Sequence, residues 1–157
     1  MKLFLSILLF GVMSAVHAEG PLTSEMETYL VSTNKNGQET LSPAEQASPG
    51  DIIEYRLIYT NEADQPLSGL VITGPIPANT EYLEKSARTE VPASFTVSID
   101  DGNTFEQEPV TRTKAGDDGQ PQNVTVSPSD YTQVRWQPKG SLQPDQVQEY
   151  RYRVKVQ

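Results

Sequence analysis

Through most of this chain apolar side chains recur at every second position, a period that fits a strand with one face buried and one face wet. Between Asp51 and Asn61, Ile53, Tyr55, Leu57 and Tyr59 share one face, Glu54, Arg56 and Thr60 the other, with Ile52 and Ile58 interrupting the outer row. Tyr150, Tyr152, Val154 and Val156 alternate with Arg151, Arg153 and Lys155; Phe95, Val97 and Ile99 alternate with Thr96 and Ser98; Val134 and Trp136 flank Arg135. Helical three-and-four spacing is nowhere sustained without a proline or a turn cluster, so antiparallel strands are expected. The punctuation agrees. Asn36-Gly37 predicts a two-residue hairpin joining 29–33 to 38–41, and Asp101-Gly102 predicts another turn before Phe105. Pro49-Gly50-Asp51 launches the central strand, and Leu70-Val71-Ile72-Thr73 stops at Gly74-Pro75-Ile76-Pro77, where the prolines forbid further ladder pairing. About seven to eight short strands at intervals of roughly ten residues predict an all-β, immunoglobulin-like antiparallel β-sandwich over residues 27–157. Residues 19–26 read as a flexible N-terminal segment and 114–122 as a long surface loop.

The start of the chain has a different character. Met1-Lys2 is followed by an apolar run from Leu3 to Val16, broken by Ser6, Gly11 and Ser14, and then by Val16-His17-Ala18 before Glu19. A charged start, a short apolar stretch and small residues ahead of a polar segment predict a cleavable signal peptide over residues 1–18. The run is shorter than the roughly 20 residues of a membrane-spanning helix. The expected address is the periplasm or the exterior of the cell, with no membrane insertion after cleavage. The absence of cysteine rules out disulfides and a thioether lipid anchor, so stability has to come from a packed core. A net charge of −9 argues against nucleic-acid partners, which are bound largely by displacing counterions with lysine and arginine.

Taken in order, Pro49-Gly50-Asp51-Ile52-Ile53-Glu54-Tyr55-Arg56-Leu57-Ile58-Tyr59-Thr60-Asn61 and Leu70-Val71-Ile72-Thr73-Gly74-Pro75-Ile76-Pro77-Ala78-Asn79-Thr80 resemble the bacterial repeat family called domain of unknown function 11. Ser98 to Phe105 is similar to that family's hairpin, and Val134-Arg135-Trp136 with Leu142-Gln143-Pro144 to its late strands. The resemblance covers roughly Gly50 to Val156 and implies a sandwich that usually recurs as a spacer in large surface proteins. This chain carries a single copy, and Gly74 stands where the family usually has aspartate.

The inventory restricts the chemistry. The single histidine, His17, falls in the signal peptide and there is no cysteine, so no serine-histidine or cysteine-histidine nucleophile and no ordinary zinc site can be assembled. Acidic residues are plentiful, but no pair sits in a recognisable glycosidase frame. Asp100, Asp101 and Asn103 around Gly102, or Asp117 and Asp118 before Gly119, have the oxygens to ligate calcium; these residues also favour tight turns, which is the preferred reading. Ser98-x-Asp100-x-Gly102-x-Thr104-Phe105 resembles the aspartate-box hairpin of sialidase-type propellers, but a single copy reads as a turn with Phe105 in the core. Arg151, Arg153 and Lys155, with Arg56 and Arg135 on neighbouring strands, form either a basic stripe for an anionic partner or, as preferred, a solvated face paired with residues such as Glu54. Alternation sends Tyr55, Tyr59, Tyr150, Tyr152 and Trp136 inward, leaving Tyr29, Tyr82 and Tyr131 for any sugar-stacking platform. Asn123-Val124-Thr125 matches a glycosylation acceptor.

No catalytic residues and no cofactor site emerge. The expectation is a non-enzymatic exported envelope protein, a protein-binding or structural module whose partner is another envelope or surface protein, engaged at a sheet edge or by the loop around Gly116 to Gly119. The alternative is a small-ligand module for carbohydrate or calcium. The expected core centres on Tyr55, Leu57, Trp136, Tyr152 and Val154, with Gly37, Gly50 and Gly102 in turns.

Overall fold

A computed structural model describes residues 20–116 and 119–157 as an antiparallel β-sandwich. The strands are β1 (Leu22–Thr33), β2 (Glu39–Pro43), β3 (Ile52–Asn61), β4 (Ile72–Pro75), β5 (Thr80–Tyr82), β6 (Arg88–Thr89), β7 (Ala93–Ser98), β8 (Thr111–Ala115), β9 (Pro121–Thr125), β10 (Gln133–Pro138) and β11 (Val147–Val156). The first sheet runs β2-β1-β3-β11-β5, with β6 also pairing β11; the second runs β4-β10-β7; β8 and β9 form a separate ribbon. The chain crosses between the sheets after β3, β4, β6 and β10, so the two layers are tied by long-range connections.

The alternation read from sequence is what joins the layers. Ile53 and Leu57 of β3, Tyr150, Tyr152 and Val154 of β11, and Val97, Val134 and Trp136 of the second sheet all turn inward and are buried. Trp136 packs at 5.2 Å from Phe95, 5.6 Å from Tyr150 and 6.0 Å from Tyr152, so one side chain links both sheets. Tyr55 faces the same side, half-buried, and stacks on Tyr152 at 5.2 Å. Such aromatic pairs add to the area they bury, which lets a chain without disulfides hold two sheets together.

Several expectations are corrected. Residues 22–26, read as flexible, form the first part of β1: Leu22 to Val31 pair continuously with Asn61 to Ile52, held by backbone hydrogen bonds that need no apolar pattern. Of the segment 114–122, read as a loop, the two ends belong to strands, Lys114 and Ala115 to β8 and Pro121 and Gln122 to β9, with Lys114 opposite Gln122. The turn at Asn36-Gly37 has three residues, not two. Asn34 N–H donates to Gln38 O, Gly37 N–H donates to Asn34 O, and Gly37 takes the left-handed φ of 77° that ends a type I turn with a bulge. Phe105, expected in the core, lies on the outer face of the second sheet beneath the Arg135 guanidinium, 3.3 Å from its centroid. The signal peptide expected over 1–18 and the calcium candidates Asp117 and Asp118 fall outside the described residues. Among the described residues no helix is long and apolar enough to cross a membrane.

Candidate functional site

The outer face of the first sheet carries the most concentrated charge. Because inward positions on β11 are Tyr150, Tyr152 and Val154, Arg151 and Arg153 point outward, and on β3 Glu54 and Arg56 do the same. Pairing register then sets Arg88 of β6, Arg151 of β11 and Arg56 of β3 directly opposite one another, three arginines in one row across three strands. Like charges in directly opposed positions destabilise a sheet.

The neighbouring row shows how the guanidiniums are oriented. Glu54 is 3 % exposed and is the pivot: Arg56 Nε donates to its Oε1 at 2.9 Å, with Nη2 2.8 Å from the same oxygen, and Arg153 Nε donates to its Oε2 at 2.8 Å. Arg153 uses its remaining nitrogens on Glu39, at 2.9 Å each. Those bonds hold the Glu39 carboxyl below its usual range. Although β1 and β3 separate β2 from β11 in the sheet, Glu39 of β2 reaches Arg153 of β11, so the β1–β2 ribbon bends across the outer face.

Opposite that ribbon stands the turn formed by residues 83–87. Leu83 N–H donates to Arg153 O, while Ser86 Oγ both accepts from Arg153 N–H and donates to its carbonyl, fixing the turn to β11. Lys85 sits there with a left-handed φ of 60°. Arg88 Nη1 donates to the carbonyls of Lys85 and Ala87, which orients its guanidinium without neutralising it. The result is a trench of about 460 Å³, with five cations (Arg56, Lys85, Arg88, Arg151 and Arg153) against two carboxylates (Glu54 and Glu84). Leu41 and Leu83 add apolar surface. Among the described residues the ion-pair partner of Arg151 is Glu149, at 4.0 Å.

The basic row expected from sequence is thus partly assembled. Arg56, Arg151 and Arg153 come together; Lys155 stands opposite Ile52 and Glu81, outside the trench; Arg135 belongs to the second sheet. Arg88 and Lys85 were not anticipated. Their only sequence signal is positive charge in a segment with no strand pattern, and a two-residue strand paired to β11 is a tertiary fact.

The other candidates resolve differently. At the aspartate-box hairpin, Asp100 Oδ1 accepts from Ser98 Oγ and Thr104 N–H, and Oδ2 accepts from Thr104 Oγ1 at 2.6 Å. These bonds lower the Asp100 pKa to about 2, Thr104 contributing most. Its lone pairs tie the turn, with Gly102 at φ 87°, rather than pointing to a ligand. Among the described residues no group of three metal-ligating side chains gathers. Tyr82 and Tyr131, left open for sugar stacking, are buried and stack on each other at 5.9 Å, and Tyr29 lies under Arg56. Asn123 and Thr125 of the acceptor sequence are both exposed on β9. Compared with family models, with curated proteins and with solved structures, the chain gives no match.

Proposed function

We propose that this chain is a non-enzymatic recognition module, exported to the cell envelope, that binds a partner protein through the basic trench on its first sheet. The observation that carries the proposal is the row Arg88–Arg151–Arg56. It opposes like charges on a chain of net charge −9; Arg56 is held by Glu54 and stands opposite Glu27 of β1, whereas Arg151 and Arg88 face each other with no carboxylate between them. A held arrangement that costs stability is expected at sites of function. Export rests on the signal-peptide pattern of residues 1–18, and kinship with domain of unknown function 11 is part of the same reading.

A photo-reactive residue at Leu41, on the trench wall, tests this in living cells. One protein should be recovered in near-stoichiometric amount and lost when Arg151→Glu is added. Recovery that is indifferent to Arg151, or recovery of nothing, contradicts the reading.

A further inference from the structure

The trench restricts what its partner presents. We propose that its ligand is an extended acidic segment of a partner protein, with side-chain carboxylates at alternate positions gripped by Arg151 and Arg88; this rests on the reading of the chain as a protein-recognition module. Neighbouring strands lie about 4.8 Å apart, so the row spans roughly 10 Å; Arg56 is engaged by Glu54, and Arg151 and the nitrogens of Arg88 not spent on carbonyls are left to a ligand. An extended peptide presents same-face side chains every roughly 6.8 Å, and two glutamates in a Glu-x-Glu pattern converge through their flexible side chains on the neighbouring guanidiniums of Arg151 and Arg88. Guanidinium matches carboxylate through two parallel hydrogen bonds, as Arg153 already does with Glu39.

The walls suit a narrow chain. The β1–β2 ribbon and the 83–87 turn flank the charges, and Leu41, 40 % exposed, offers apolar contact to the methylenes of a bound glutamate side chain. A second slot of about 530 Å³ shares Lys85 and Arg88 with the trench and is lined by Val91 and Phe95 together with Glu108. A glycan would look for exposed aromatic faces, but Tyr82, Tyr131, Tyr150 and Tyr152 are spent in the core. A flat anionic membrane would meet the walls before the guanidiniums.

Fluorescence anisotropy with the purified protein tests the assignment, using a labelled peptide of alternating glutamate and leucine, its glutamine counterpart and a sulfated dextran. The glutamate peptide should bind and weaken at least tenfold as salt is raised, as screening requires. Arg151→Glu should reduce binding at least tenfold at an unchanged melting midpoint, whereas Lys139→Glu, outside the trench, should not. Equal binding of the glutamine peptide, indifference to Arg151→Glu, binding of the dextran alone, or binding of no probe each overturns the acidic-peptide assignment. The Leu41 crosslink separates the two levels: an Arg151-dependent protein recovered in cells while the peptide fails keeps the recognition reading and removes only its chemistry.

Discussion

Gly74 shows at a single residue how closely the sheets meet. A Cβ built there would lie 2.7 Å from Tyr152 Cε1, a contact real side chains do not make. The ring has nowhere to retreat, because Tyr55 stacks on it and its hydroxyl donates to the carbonyl of Pro75. Gly74→Ala should therefore cost about 1–3 kcal/mol in urea denaturation, and Gly74→Asp, the residue usual in the resembling family, more. Trp136→Ala should cost roughly 3–5 kcal/mol, since the indole is buried between both sheets. Glu54→Ala leaves two guanidiniums without their shared partner; roughly 3 kcal/mol is expected, the low end for a broken buried pair, because both arginines retain contact with water. Asp100 governs acid behaviour. Its folded pKa, about 2, lies below the ordinary 3.8, so its contribution is complete above the unfolded value and is lost as pH falls toward 2. Urea midpoints measured from pH 5 to pH 2 should fall less steeply for Asp100→Asn than for the parent protein.

At the scale of elements, the sequence was legible wherever a strand buries one face. Ile53 and Leu57, Tyr150 to Val154, and Val134 with Trp136 all sit where a period of two puts them. It was not legible where backbone bonds alone decide. The first half of β1 has Met26 51 % exposed yet pairs fully with β3, and β8 and β9 carry mostly exposed side chains. Phe105 misled because an aromatic close to a turn was assigned to the core, whereas its ring stacks against the outward Arg135 guanidinium. For the site, Arg56, Arg151 and Arg153 could be read as outward, but their alignment with Arg88 depends on strand register that no local pattern encodes. The ribbon supports an expectation of its own. The bond from Val126 N–H to Val110 O closes its base, and the buried Val110, whose N–H donates to the Tyr131 hydroxyl, anchors it to the body. Replacing residues 113–123 with a short turn should leave the melting midpoint within a few degrees.

Across the whole molecule, charge is distributed against its own average. A chain of net charge −9 gathers five cations in one trench, holds two of them with the buried Glu54, and leaves Arg151 facing two other arginines in register. A solvated sheet face would pair such charges across strands, as Arg153 and Glu54 do one row away. On the proposed function the arginine row is kept for recognition, at some expense to the fold. The melting midpoint of Arg151→Thr beside the parent protein is the measurement that decides this. A midpoint equal to or above the parent's is expected, because threonine suits a strand and relieves the opposed charges. A midpoint several degrees lower would show that Arg151 holds the sheet together, and would contradict the account.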